Sequence, residues 1–181
     1  TRAVHWMMKA DLFGTERVVV VRDEIDKHQD RMHLDCVFSI VGQRCCVLFD
    51  GIVQKVPSLR RTVDMYKRSD ENVSSSHGSY AFVESESNVE FVDFLTSHDF
   101  QVISISAKEQ LRYGCNVLNL GDGALISSDR QSARKIATHP AFRGTVEYLD
   151  FSPVTAMYGG LHCSSQVVSR KSHVLNDEYL K

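Results

Sequence analysis

The sequence predicts an α/β fold assembled from repeated units. Three observations carry that expectation. The order strand–strand–helix–strand is read twice, over residues 34–105 and again over residues 115–149. Apolar, β-branched runs alternate with charged or glycine-bearing segments. The composition, 43% hydrophobic and 24% charged, is that of a globular chain. At 181 residues the chain suits one ordinary domain, which would bury roughly 70% of its unfolded surface without covalent staples.

The opening residues 3–13 are helix formers and end at Gly14, a plausible stop. Arg17-Val18-Val19-Val20-Val21-Arg22 reads as a strand buried on both faces. Residues 23–31 are charged and read as a surface connection. Residues 34–41 and 45–49 form a hairpin across Gly42-Gln43-Arg44. Pro57 then opens a helical segment to about Lys67, because proline is tolerated in a first helical turn. Residues 68–79 are polar and serine-rich, a mobile loop, and residues 80–83 suit a short strand. Val89, Val92, Phe94 and Leu95 lie on one face of a helix over 88–98, and residues 100–105 alternate as a strand does. The second unit follows: a hairpin of 115–120 and 124–128 across Gly121-Asp122-Gly123, a helix capped by Asp129 and running to about Thr138, and a strand over 145–149.

Composition also excludes classes of function. A net charge of −2 without a basic cluster argues against a nucleic-acid or membrane surface. No apolar run approaches the ~20 residues of a membrane span, and the start has no signal-peptide pattern. Five cysteines, an odd number with no Cys-x-x-Cys pair, fit free thiols in a reducing, cytoplasmic compartment. The chain begins at Thr1 inside a helix-forming segment, so a longer parent polypeptide is expected.

Two constellations carry chemistry. In Met32-His33-Leu34-Asp35, at the start of an expected strand, His33 and Asp35 would share one face. An imidazole beside a carboxylate moves protons, and the carboxylate can hold a cation; the competing reading is an ordinary structural triplet. In Met157-Tyr158-Gly159-Gly160-Leu161-His162-Cys163, paired glycines permit close backbone approach and present Cys163 to a cleft. Burial as a small hydrophobe is the competing reading there. On a strand, His162 would point away from Cys163. Cys45 and Cys46 suit a core strand, Cys36 faces away from Asp35, and Cys115 opens a strand. No cysteine spacing resembles a zinc site. Gly121-x-Gly123 is a hairpin turn and lacks the context of a dinucleotide fingerprint. Asn72-Val73-Ser74 matches a glycosylation acceptor that has no use in a cytosolic chain.

Taken together, these residues resemble the arginine deiminases of the guanidino-group-modifying, or amidinotransferase, superfamily. Met32-His33-Leu34-Asp35-Cys36-Val37-Phe38 is similar to the family's Met-His-Leu-Asp-Thr-Val-Phe block, and Gly159-Gly160-Leu161-His162-Cys163 to its glycine-rich loop ending in a nucleophilic cysteine. The separation of 130 positions from His33 to Cys163 agrees. Arg112-Tyr113-Gly114-Cys115-Asn116-Val117-Leu118, with Asp129-Arg130, resembles an intervening block.

The resemblance implies part of a five-fold pseudosymmetric α/β propeller of ββαβ units. Residues 1–181 would be the carboxy-terminal part of one catalytic domain, with the amino-terminal units absent. It implies hydrolysis of L-arginine to citrulline and ammonia, a reaction of arginine metabolism. Cys163 would attack the guanidinium carbon to give an S-alkylthiouronium, and His33 would protonate ammonia and then activate water. Asp35 would bind guanidinium nitrogens, while Gly160 and His162 would contact substrate. No metal or cofactor is implied. Only 32 residues precede His33, and they lack the family's second guanidinium-binding Asp and its catalytic Glu. The isolated chain is therefore expected to be without useful turnover and to need the missing amino-terminal part as its partner. Tyr158 stands where bacterial members place an Arg that holds the substrate carboxylate. The alternatives are an amidinotransferase, a dimethylarginine hydrolase, or a non-catalytic interaction module of the same fold. A homo-oligomer is left open.

Overall fold

Two units of identical topology organise the chain in the computed structural model, which describes residues 2–69 and 82–168. In the first, β2 (Phe38–Gly42) and β3 (Cys45–Phe49) form an antiparallel hairpin, and β6 (Gln101–Ile105) lies parallel to β3 after the helix α3 (Phe91–Ser97). In the second, β7 (Leu118–Gly121) and β8 (Ala124–Ser127) form the hairpin, and β9 (Thr145–Tyr148) lies parallel to β8 after α5 (Arg130–Ala137). The sheet orders are β2-β3-β6 and β7-β8-β9. Both are ββαβ units, as the doubled pattern in the sequence predicts.

The central strand β3 explains why the first unit forms. All five of its residues are buried, the signature of a strand covered on both faces. Leu48 and Val47 reach zero exposure and pack with Phe91, Phe94 and Leu95 of α3. In the second unit, Asp129 caps α5 by accepting from Ser132 N at 2.9 Å and Ser132 Oγ at 2.8 Å. Gly121 (φ +96°) and Gly123 (φ +77°) supply the left-handed turn that the β7–β8 hairpin needs.

A third sheet, β1-β4-β5, joins a strand that precedes the first unit, β1, to two strands inserted into it between β3 and α3, β4 and β5. Here the structure departs from the sequence reading. The segment after Pro57 makes a single 3₁₀ turn over Pro57–Leu59 and then the strand β4 (Thr62–Arg68), not a helix to Lys67. Thr62, Val63 and Tyr66 favour a pleated strand, and β4 pairs antiparallel with β1 (Arg17–Arg22) and with β5 (Phe82–Glu90). Strand β5 takes residues 88–90 from the expected helix, which begins at Phe91. β1 is an edge strand, with only Val18 buried, rather than one covered on both faces. Of the expected loop over 68–79, Arg68 belongs to β4 instead, and residues 70–79, the acceptor motif at Asn72 and residues 80–81 lie outside the described residues.

The short helix α1 (Arg2–Lys9) precedes this sheet. The charged connection after β1 is held from inside. Arg61, buried, pairs with Asp23 at 2.9 Å and Asp26 at 3.2 Å, and Asp26 pairs with Arg31 at 2.7 Å. No helix among the described residues is long and apolar enough to cross a membrane.

Asp64, in the middle of β4, is buried and accepts from Asn88 N at 2.9 Å, Ser87 Oγ at 3.1 Å and the Arg22 guanidinium. Burial pushes its pKa up, but these donors outweigh burial and hold the carboxyl below the ordinary range. A depressed folded pKa adds stability that is complete above the unfolded value of about 3.9 and is lost as pH falls through the lower folded value. Asp64→Asn is therefore expected to cost about 1–3 kcal/mol at neutral pH. Thermal melts should show the gap to the native protein narrowing below about pH 4; a gap independent of pH would contradict this account.

Candidate active site

The segment that builds the site begins at the end of the first unit. The one-turn helix α4 (Ala107–Gln110) follows β6 and is opened by a capping box in which Ser106 Oγ and Glu109 exchange hydrogen bonds. Its last residue, Gln110, donates through Nε2 to Asp30 O at 2.9 Å and Cys36 O at 3.3 Å, fastening the 30–36 loop from beneath. The chain then turns through Tyr113, whose φ of +62° is unusual for a non-glycine residue. At Gly114 a Cβ would collide with Ser132 Oγ and the Glu109 carbonyl, so only glycine fits. Arg112 Nε donates to Asp129 Oδ1 at 2.6 Å and ties this turn to the start of α5.

Asn116 emerges from that turn with no solvent exposure. Its Nδ2 donates to the Asp35 carbonyl at 3.2 Å and to Cys163 Sγ at 3.2 Å. Its Oδ1 accepts from His162 N at 2.8 Å and Cys163 N at 3.4 Å. Two donors and two acceptor sites are all that an asparagine side chain offers, and all four are used. Gly160 packs directly on this carboxamide, where a Cβ would overlap Asn116 Oδ1.

Three predicted residues converge here. Asp35 Oδ2 lies 3.4 Å from Cys163 Sγ and 2.9 Å from His162 Nδ1. Burial works to raise the Asp35 pKa, but hydrogen bonds from His162, Cys163 and Asn116 prevail and hold it below the ordinary carboxylate range. His33 is exposed and makes no capping bond with its imidazole. It lines a cleft of about 300 Å³ together with Cys163, Tyr113 and Tyr158. On the other side, Asp35 and His162 border a wider groove of about 840 Å³.

The route to this arrangement differs from the expected one. His33 and Asp35 do not share a strand face, because Leu34–Cys36 is a 3₁₀ turn with His33 before it, and β2 starts only at Phe38. The turn keeps the Asp35 carboxylate beside Cys163 while His33 opens onto the cleft. Cys36 likewise does not face away from Asp35; its Sγ lies 3.8 Å from Asp35 Oδ1. Nor does His162 point away from Cys163. Residues 160–165 turn tightly, with Ser164 N bonded to Gly160 O and Ser165 N to His162 O, so consecutive side chains approach one carboxylate oxygen. Gly160 is buried against Asn116, so its missing side chain is what the packing of this loop requires. Cys115 precedes its strand, which starts at Leu118.

The arginine deiminase family profile matches residues 1–170. The chain belongs to the arginine deiminase family. Comparison with individual curated proteins returns no match. Family members act at the guanidino group of arginine, and a carboxylate beside an exposed thiol suits that chemistry. The residue this family reading passed over is Asn116. It sits inside the Arg112–Leu118 motif, and a polar amide between Cys115 and Val117 was the available signal. Asp35, Cys36 and Cys163 also place ligand atoms within 4.8 Å of one another, a spacing a thiophilic cation could bridge. No sequence spacing announced that cluster.

The remaining four thiols are buried and held in the protonated form. Burial pushes Cys36 and Cys46 up to about 12, and raises Cys45 and Cys115 as well. Cys163 is the exposed cysteine. Iodoacetamide should accordingly label Cys163 first, as read by peptide mass mapping; preferential labelling of Cys36 or Cys115 would refute this. Asn116→Ala should cost about 1–3 kcal/mol in urea unfolding and alter the Cys163 labelling rate. An unchanged labelling rate in a folded Asn116→Ala variant would show that the amide does not position the sulfur.

Proposed function

We propose that the protein hydrolyses the guanidinium group of L-arginine to citrulline and ammonia, through a covalent intermediate on Cys163. The observation that carries the reading is the 3.4 Å approach of Cys163 Sγ to the Asp35 carboxylate, with His33 on the same cleft. A guanidinium is a delocalised cation and resists attack until it is oriented and its leaving nitrogen is protonated. Asp35 would accept hydrogen bonds from its nitrogens and so hold its carbon against the sulfur.

A guanidinium seated there brings positive charge beside Cys163, whose thiolate is the attacking form. The sulfur adds to the guanidinium carbon, His33 gives a proton to the departing ammonia, and an S-alkylthiouronium remains. His33 then takes a proton from water, which attacks the same carbon; the C–S bond breaks and citrulline leaves. His162 would act by fixing the Asp35 carboxylate through its 2.9 Å contact. We further infer that the two ββαβ units belong to a pseudo-fivefold propeller, and that residues 1–181 form part of one catalytic domain that includes further units.

Tyr158 lines the cleft with Cys163 and holds a left-handed backbone, φ +63°. It offers no fixed positive charge to a substrate carboxylate, which favours keeping related guanidino compounds as a second reading. The assay is citrulline formation by the full-length protein from L-arginine, beside N-methylated arginines, each with and without an acceptor amine. Cys163→Ala is expected to abolish turnover with the circular dichroism spectrum unchanged, and Asp35→Asn to lower it by roughly 10²–10³-fold. Transfer of the amidino group to the amine would assign an amidinotransferase instead, and full turnover by Cys163→Ala would overturn the mechanism.

A further inference from the structure

Two cysteines meet at one carboxylate. The Cys36 thiol points at Asp35 Oδ1 from 3.8 Å, and the Cys163 thiol at Asp35 Oδ2 from 3.4 Å. The two sulfurs and the carboxylate all lie within 4.8 Å of one another. They come from opposite ends of the chain, so the fold alone brings them together. Cys163 is exposed and Cys36 is buried, 8% accessible. Arginine hydrolysis as written above uses Cys163 and Asp35 and leaves Cys36 without a part.

We propose that Cys36 is a resolving thiol for Cys163: a hydroperoxide oxidises Cys163, and Cys36 then closes a reversible Cys36–Cys163 disulfide across the site. In the first step the Cys163 sulfur attacks one peroxide oxygen and the O–O bond breaks. The sulfur is oxidised to a sulfenic acid, and the hydroperoxide is reduced to its alcohol, or to water for hydrogen peroxide. In the second step the Cys36 sulfur attacks the Cys163 sulfur, the S–O bond breaks, and the sulfenic oxygen leaves as water with the proton of the Cys36 thiol. Asp35 Oδ1, already facing that thiol, relays the proton. One hydroperoxide and two thiols become one disulfide, one alcohol and one water.

The geometry and the chemistry agree on the order of events. A disulfide holds its sulfurs ~2.05 Å apart, so the two must close by less than ~3 Å, a displacement of the size a χ1 rotation produces. Cys163 lies on an exposed turn where such a rotation meets solvent. Cys36, desolvated and beside a carboxylate, is slow to ionise and a poor first target for peroxide. The exposed thiol is thus oxidised first and the buried one resolves it. Formation of the bond stands apart from the proposed arginine chemistry; only the accompanying loss of turnover rests on it.

The sequence makes the test clean, because trypsin places Cys36 alone in residues 32–44 and Cys163 alone in residues 144–170. The full-length protein is titrated with hydrogen peroxide, blocked with iodoacetamide and digested without reductant. The expected product is the 32–44/144–170 pair, lighter than the sum of the free peptides by two hydrogens and separated by dithiothreitol. Turnover falls as the pair accumulates and returns on reduction. In Cys36→Ser the pair is absent, Cys163 advances to sulfinic acid, and dithiothreitol no longer restores turnover. Oxidised native protein in which Cys163 is sulfinic and Cys36 still takes iodoacetamide would overturn the proposal. So would a cross-link from Cys163 to residues 45–55, to residues 113–130 or to a second chain, or a Cys163 that resists peroxide. A disulfide that forms in a protein with no turnover before oxidation would sink the arginine reading and leave this one standing.

Discussion

The carboxamide of Asn116 is the contact on which the site depends. It is fully buried, and its four hydrogen-bonding positions join three pieces of chain that are remote in sequence. One face receives the backbone of His162 and Cys163; the other donates to the Asp35 carbonyl and the Cys163 sulfur. A flipped amide would set its NH₂ against two backbone N–H groups and its oxygen against a carbonyl, so the network admits one orientation. A half-satisfied buried network costs more than it contributes, which is why the fit of Gly160 against this group leaves no room for a side chain.

The two ββαβ units hold that amide in place. Asn116 lies on the link between them, after α4 and before β7, and both units clamp the link. Gln110 reaches back to the loop ahead of β2, while Arg112 reaches forward to Asp129 at the start of α5. Glu109 strengthens the clamp through Lys135 Nζ at 2.7 Å. The burial that would raise the Glu109 pKa is outweighed by Lys135 and Ser106, so it remains an anion in the protein interior. The Cys163 thiol and the Asp35 carboxylate can therefore sit together on loops, because the backbone beneath them is pinned by contacts to both units.

Much of the fold was legible locally. The apolar run Cys45–Phe49, the Gly-bounded hairpins and the Asp129 cap each specify their element from nearest neighbours alone, and each formed, although the first strand of each hairpin starts three or four residues later than the sequence placed it. The β4 segment was not, because proline near its start signals a helical turn, whereas its pairing with β1 and β5 is nonlocal. The same limit hid the Arg61–Asp26 cluster inside a connection that reads as plain charged surface.

By itself the sequence determined the family and singled out Asp35, His33 and Cys163 as candidates for its chemistry, because residue type and order along the chain are enough to match a motif. Tertiary structure alone decided how those residues meet. Strand alternation misassigned His33, Cys36 and His162, since a 3₁₀ turn and a tight loop replace the pleat that the alternation assumes. The pairing of Asp35 with His162, the role of Asn116 and the neighbouring Cys36 and Cys163 sulfurs all join positions far apart in the chain. Such contacts exist only once nonlocal packing has closed the loops between them, and no local pattern of residues encodes that closure.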